Sequence, residues 1–488
     1  MLIQRTKKYL IDLNSILRLF IFIFVTFLLF IKVDQKNQYV NLSTFILGGV
    51  LALQNFIFLI FEKLKRNPLL LLLVFQNVFF FMIRVLSLNY TNFSTPFEQN
   101  NCSATDVNYA LIFIFFANIS LFLGLISFPC VAKMKLSQVY EVHKKYLILV
   151  PVCVCFFMSY YSSKGIISLI NSLFINLGIL ILMIIVYLIY KGKHLNKSFK
   201  YLLILFIIAY VIMQTAYGSR AALISVVLYT IYALLAVYGF LKVKIIHILL
   251  AGILIPIMII FFLFATYMRP QLSDATNKTL PEIASIYNNF NLKGALENDA
   301  QLLLTPVFDR IGFLDYSATT IKNADKYAPI FNINYYFKSI VDNILSPGFD
   351  IFDVPRVSNA TSFIYYGNGP ITKTTVTENY QSDQFCFYGE YYALFGKWFS
   401  LIPIFLTGVL FKFLYERTNP QRPYPTFVNK AFVLSTYYLF LNSFGLDWIL
   451  LDIVGYVFTF SIFQNFFKFK LMTSVSKDFS RSRIKIID

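Results

Sequence analysis

Apolar residues run along this chain in long blocks separated by short polar connections, and most blocks approach 20 residues. That is about the length a helix needs to cross a hydrocarbon core. The pattern predicts twelve spanning helices, near 15–31, 42–61, 68–88, 108–132, 146–162, 166–190, 201–217, 221–241, 246–267, 396–415, 428–446 and 449–467. One connection breaks the rhythm. Residues 268–386 are polar, hold helix-like stretches at 296–325 and 334–345, and are punctuated by Pro281, Pro306, Pro329, Pro347 and Pro355. A connection of this length is functional more often than it is filler. It is expected to form a helical cap over one membrane surface, with Tyr335, Tyr336, Phe337, Tyr365 and Tyr366 near the headgroups. The first apolar run has full spanning length and no small-residue cleavage site, so it reads as a span and not a cleaved leader.

Composition agrees. Of 488 residues, 58% are apolar or aromatic and only 14% are charged, against about a quarter in soluble domains. The chain therefore reads as an all-α polytopic membrane protein. Its formal charge of +18 would suggest nucleic acid in a soluble protein, but here the distribution decides. Basic residues gather in alternate connections: Arg5, Lys7, Lys8 and Arg18; Lys63, Lys65 and Arg66; Lys133, Lys135, Lys144 and Lys145; Lys191, Lys193, Lys197 and Lys200; Lys242 and Lys244; Lys412, Arg417, Arg422 and Lys430; and the tail from Lys468. By the positive-inside rule these connections and both termini are cytoplasmic. The charge is thus an orientation signal, suited to anionic lipid and not to nucleic acid. The chain divides accordingly into 1–267 for nine spans, 268–386 for the outer segment, 387–467 for three more spans, and a basic tail over 468–488.

Familiar soluble-enzyme motifs are absent: no phosphate-binding loop, dinucleotide fingerprint, zinc-protease helix or serine nucleophile elbow. The five cysteines have no metal-like spacing. Cys102 and Cys386 share the outer side, but nothing in the sequence brings them within bonding distance. Asp350 and Asp353 form a pair too sparse to predict a metal, and no metal or other cofactor is expected. His143, His194 and His247 all fall on the cytoplasmic side, so an outer-face base must be a carboxylate or a tyrosine.

Three outer clusters could carry chemistry. Tyr217-Gly218-Ser219-Arg220-Ala221-Ala222 occupies the tight turn between spans seven and eight. An arginine costs roughly 2.5–3.5 kcal/mol at the bilayer centre, so Arg220 belongs at the interface, either snorkelling or facing a polar cavity. Arg269, Arg310 and Arg356 lie on the outer segment, either as surface ion pairs or as planar forks that converge on a diphosphate. Asp315 is placed to reach Arg310 after folding. The third cluster runs from Asp383 through Glu390, Tyr391 and Gly396 into span ten. Glu390, among aromatics at the boundary, reads as an acid/base carboxylate or as an arginine's partner. Gly389 and Gly396 read equally as close-packing sites between helices.

The Gly-Ser-Arg-Ala element at 218–221, the large outer segment, the Gly389-Glu390-x-Tyr392-x-x-Phe395-Gly396 entry to span ten and the subsequent Gly408 helix resemble the O-antigen and capsule polymerases, the Wzy-type repeat-unit polymerases. The resemblance covers the topology of most of the chain; its motifs are confined to 217–222 and 383–408. It implies a GT-C-like, metal-independent glycosyltransferase in a bacterial inner membrane, active at the periplasmic face. Its donor and acceptor would be undecaprenyl-diphosphate-linked oligosaccharides, and undecaprenyl diphosphate would be released. A chain-length-regulating co-polymerase and a flippase would be its pathway partners. Under this reading Arg220, Arg310, Arg269 and Arg356 bind diphosphate, Glu390, Asp383 or Asp315 is the base, and Tyr217, Ser219 and Tyr391 contact substrate. Two alternatives stand beside it. An O-antigen ligase shares the outer arginines but generally uses a periplasmic histidine. A flippase suits twelve spans but needs ionisable groups at depth, of which the spans are expected to be nearly free.

Overall fold

The computed structural model describes residues 10–32, 37–65, 67–91, 95–127, 140–141, 242–244, 312–345, 351–360, 386–416, 423–442 and 472–473, with isolated positions at 201, 205, 228, 231, 232, 235, 236, 285, 446, 449, 450 and 453. These residues are mostly helical. In chain order the helices are α1 (Leu13–Phe30), α2 (Leu42–Lys65), α3 (Pro68–Gln76), a π-helical turn (Asn77–Met82), α4 (Ile83–Thr91), α5 (Thr95–Gln99) and α6 (Ala104–Ile126). Beyond them lie α7 (Phe313–Lys322), α8 (Ala324–Tyr327), α9 (Ile333–Leu345), α10 (Phe387–Phe395), a 3-10 turn (Lys397–Ser400), α11 (Leu401–Glu416) and α12 (Pro423–Asn442).

Five stretches are long and apolar enough to cross a membrane: Leu13–Phe30, Leu42–Glu62, Pro68–Asn89, Ala104–Ile126 and Lys397–Glu416. They coincide with the first four expected spans and the tenth. α12 overlaps the eleventh; spans five, six and nine lie outside the described residues, and seven, eight and twelve fall on them only at isolated positions.

Local sequence explains where these helices begin. Asn67 caps α3 by accepting from the Leu69 N–H, and Pro68 sits in the first turn, where its missing N–H costs nothing. The Asn67 amide also donates to the Leu125 carbonyl at 3.2 Å, tying the start of α3 to the end of α6. At the opposite end, the Ser103 N–H donates to the Asp106 carboxylate at 2.8 Å to open α6.

The spans are not equivalent. Pro68–Asn89 is 72% buried and Leu13–Phe30 only 22%, so α3–α4 is the central helix and α1 a peripheral one. Leu19, Phe22, Leu29 and Phe30 on α1, and Ile402, Leu406 and Leu410 on α11, present apolar side chains outward, as lipid-facing helices should.

α6 and α11 run parallel and cross with almost no side chain between them. A Cβ on Gly124 would stand 2.2 Å from the Phe405 carbonyl oxygen, and one on Gly408 would stand 2.6 Å from that of Leu121. In lipid, helices associate by this kind of close approach, because apolar burial gives no advantage over lipid tails. Gly389 and Gly396, alike in the sequence pattern, part company in the fold. Gly389 is a packing site, its Cβ position 2.9 Å from that of Thr320, whereas Gly396 has open space around it and a φ of +78° and serves as the turn into α11.

Two short antiparallel pairs complete the described elements. Leu10–Asp12 (β1) pairs with Lys242–Lys244 (β3), and Tyr140–Glu141 (β2) with Met472–Thr473 (β4). Each joins two segments that the charge pattern places on one side of the membrane.

The described part of the 268–386 connection is rooted in the bundle. α7 packs against α6 and α10, and every residue from Phe313 to Ile321 is buried. Lys322 at its end reaches the Asn101 carbonyl at 2.6 Å and the Asp106 carboxylate at 3.0 Å.

Candidate functional site

Glu390 lies in the first turn of α10, a helix whose residues Phe387, Tyr388, Tyr391 and Tyr392 are all buried. Its own exposure is 1%. Oε1 accepts two hydrogen bonds, from the Tyr336 hydroxyl at 2.5 Å and from the Leu446 N–H at 2.8 Å. A single carboxylate oxygen thus joins α9, α10 and the segment after α12. Tyr336, expected near the headgroups, is instead buried over Glu390; the amphipathic pattern of α9 leaves Ile333 and Phe337 exposed and turns Tyr336 inward.

Arg356 belongs to the same corner. Tyr335, beside Tyr336, donates to the Pro355 carbonyl at 3.0 Å. Val357 and Ala360 pack with Tyr327, Ile330, Phe331 and Tyr336 in one apolar cluster, against which Ala393 and Leu394 of α10 also lie. Arg356 itself is half-buried. The loop that carries it is shaped by Asp342, whose carboxylate accepts the N–H groups of Ile351 and Phe352 at 3.0 Å and of Val354 at 2.9 Å. Asp353 is exposed with a φ of +51°, and Asp350 lies outside the described residues. Among the described residues, no group of three or more His, Cys, Asp or Glu side chains forms a metal site.

Asp315 is held in an ion pair. Both of its carboxylate oxygens face Arg84: Nε lies 3.0 Å from Oδ1 and 3.1 Å from Oδ2, and Nη2 lies 2.5 Å from Oδ2. The two side chains are 1% and 2% exposed. This is a buried, forked ion pair between the outer segment and the central helix. The sequence pointed to Arg310 as the partner of Asp315; Arg310 lies outside the described residues, and within them the partner is Arg84. Arg84 lies inside the apolar stretch Pro68–Asn89, five residues from its second end. Its signal was present: a lone arginine inside Ile83-Arg84-Val85, within the apolar run 68–88, is conspicuous in lipid. The π-helical turn at Asn77–Met82 precedes it directly, and such turns shift the register of the next helical residues, frequently at functional sites.

A second polar system lies deeper. The Tyr388 hydroxyl bonds to Asn118 Oδ1 and to Asn77 Oδ1, the latter at 3.2 Å. Asn77 donates to Asn55 at 3.0 Å, Asn118 to Gln54 at 3.3 Å, and Gln54 to the Phe115 carbonyl at 2.8 Å. Amides and a phenol from α2, the π-turn, α6 and α10 therefore interlock within the apolar core. No sequence motif singles out any of them.

Tyr391, expected to contact substrate, faces α11: it is 3% exposed and its hydroxyl pairs with Thr407 at 2.9 Å. Cys102 and Cys386 are both buried and not disulfide-bonded. Cys102 lies against the Thr319 hydroxyl at 3.7 Å, and burial pushes its thiol up to about 11. Arg220, Arg269, Arg310, Asp383, Tyr217 and Ser219 lie outside the described residues. The structure therefore brings Glu390 and the Arg356 segment to one corner, and pairs Asp315 elsewhere. No protein-family model, no curated protein and no solved structure matches the chain.

Proposed function

We propose that the chain is a repeat-unit polymerase of the Wzy type: a metal-independent glycosyltransferase of the inner membrane that joins undecaprenyl-diphosphate-linked oligosaccharides at the periplasmic face. The observation that carries this reading is the corner itself, where a fixed carboxylate, Glu390, sits beside the apolar cluster that includes the segment bearing Arg356. Lipid-diphosphate glycosyl transfer needs those two groups close together: a cation for the departing diphosphate and a base for the attacking hydroxyl.

In the proposed reaction, an acceptor sugar hydroxyl attacks the anomeric carbon of the donor glycan. The new glycosidic bond forms as the bond to the diphosphate breaks, and undecaprenyl diphosphate leaves with the electron pair. Glu390 takes the hydroxyl proton. Arg356, with Arg220, Arg269 and Arg310, carries the charge that develops on the leaving group. Tyr336 and the Leu446 N–H hold the carboxylate oriented. Because Glu390 is 1% exposed, the acceptor reaches it only when the groups packed over the carboxylate move apart.

The test is a purified-protein assay with the cognate lipid-linked units, products separated by length, comparing wild type with Glu390→Gln and Arg356→Ala. A ladder of lengthening glycans from wild type, lost in both variants, is the expected result. Intact units and no ladder from wild type would overturn the proposal. A second reading is a flippase for the same units, for which the buried Arg84–Asp315 pair supplies ionisable groups inside the bundle. Movement of units across a vesicle membrane without elongation would select it.

A further inference from the structure

α9 is amphipathic in the reverse sense from a helix on a water-facing surface. Its polar residues turn inward: Ser339 and Asp342 are 0% exposed and Tyr336 is 6%. Its apolar residues Ile333 and Phe337, one helical turn apart and so on one face, are 75% and 61% exposed. The loop after the helix enlarges this face. Asp342 accepts the N–H groups of Ile351, Phe352 and Val354, and so ties Ile351 and Phe352, both exposed, to α9. Lys338, the neighbour of Phe337, carries its ammonium 5.6 Å from the centre of the Phe352 ring. Helix and loop therefore present a single surface.

The height of this surface along the spans follows from the packing. Tyr336 of α9 belongs to the cluster with Tyr327, Ile330 and Phe331, against which Ala393 and Leu394 of α10 lie. Tyr392, the residue before Ala393, pairs hydroxyl to hydroxyl with Tyr109 at 3.1 Å. Tyr109 stands five residues past Ala104, the first residue of the apolar stretch Ala104–Ile126, a rise of about 8 Å along that helix. An interfacial helix buries its apolar face about 5–10 Å into the boundary between headgroups and acyl chains. Trp398 is at the same level, its ring 6.2 Å from that of Tyr109, and both are partly exposed. Tryptophan and tyrosine collect at that boundary.

We infer that Ile333, Phe337, Ile351 and Phe352 form a lipid-docking surface, which seats α9 in the headgroup layer at the Ser103 end of α6, with phospholipid as its occupant. Water on this face would hydrate large apolar side chains while polar ones are withdrawn; acyl chains remove that cost. Lys338 adds charge complementarity: its apolar stem lies with the surface and its ammonium reaches the layer of phospholipid phosphates, as a snorkelling lysine does. The opposite face of the same helix carries Tyr336, the donor to Glu390, so lipid contact holds in place the helix that orients that carboxylate. The inference stands whether or not the chain is a glycosyltransferase, and its test reads no activity.

The test is tryptophan emission from the full-length protein reconstituted in vesicles of phosphatidylethanolamine and phosphatidylglycerol. The two native tryptophans, Trp398 and Trp448, are replaced by phenylalanine, and Phe337→Trp or Ile333→Trp supplies the reporter. Lipid brominated on the upper acyl chain should remove most of the emission at both positions, and that loss supports the surface. Emission unchanged at either position overturns it; aqueous iodide then tells why, quenching a face that lies in water and sparing one covered by protein. Should the background without native tryptophan not fold, a photoreactive benzophenone amino acid at position 337 of the otherwise native chain decides. A crosslink to phospholipid, read by intact mass, supports the surface, and a crosslink to protein or none at all overturns it.

Discussion

Replacing Arg84 with methionine keeps an unbranched apolar stem and removes the guanidinium, leaving the Asp315 carboxyl buried without its cation. In wild type that carboxylate receives charged N–H groups at 2.5, 3.0 and 3.1 Å and is 2% exposed, so water can replace little of what is lost. Stranding one member of a buried pair costs about 3–5 kcal/mol, whereas exchanging both for apolar residues of similar volume is often neutral or favourable, since two desolvation penalties vanish with the attraction. Arg84→Met and Asp315→Leu are therefore each expected to lose about 3–5 kcal/mol, and the double variant to regain most of it. The measurement is equilibrium denaturation of purified protein in one fixed detergent, analysed as a double-mutant cycle. Single variants within about 0.5 kcal/mol of wild type, or a double variant no better than the worse single one, would refute the claim that this pair fastens the outer segment to the bundle. Activity of the double variant adds a second answer: an Asp315 base predicts an inactive double variant, a purely structural pair an active one.

The geometry sets four further outcomes. Gly124→Ala and Gly408→Ala force a methyl group to within 2.2 and 2.6 Å of backbone oxygens and should nearly abolish folded protein recovered by size exclusion. Gly396→Ala meets no neighbour and bears only the strain of its positive φ, about 1 kcal/mol by thermal unfolding. Tyr336→Phe removes one donor from Glu390 while leaving the ring in place; product formation should fall about tenfold with little change in unfolding midpoint, and unchanged activity would detach Tyr336 from the site. Neither Cys102 nor Cys386 should react with a maleimide at about pH 7.5, below the ordinary thiol range, until the protein is unfolded, because both thiols are buried and Cys102 stays protonated up to about 11; rapid labelling by intact-mass measurement would contradict their burial.

Much of the architecture was legible from apolar run length alone. The first four spans and the tenth stand where the blocks of the chain put them, because in lipid an apolar run of the right length has no competing structure. The outer helix expected at 334–345 is α9, one residue longer at its start. Glu390 was legible as well, a carboxylate among aromatics at a span boundary. Which groups meet was not. Arg84 and Asp315 are 231 positions apart, and Glu390 meets Tyr336 and Leu446 from opposite directions along the chain; no local pattern encodes such pairs. Tyr336 and Tyr391 look alike as interfacial aromatics, yet one bonds a carboxylate and the other a threonine of α11. Hydropathy reports how far each residue prefers to be from water, and that preference alone sets the spans. Pairing of buried polar atoms depends on which helix faces which, and only the packed bundle, where every buried donor and acceptor seeks a partner, decides that.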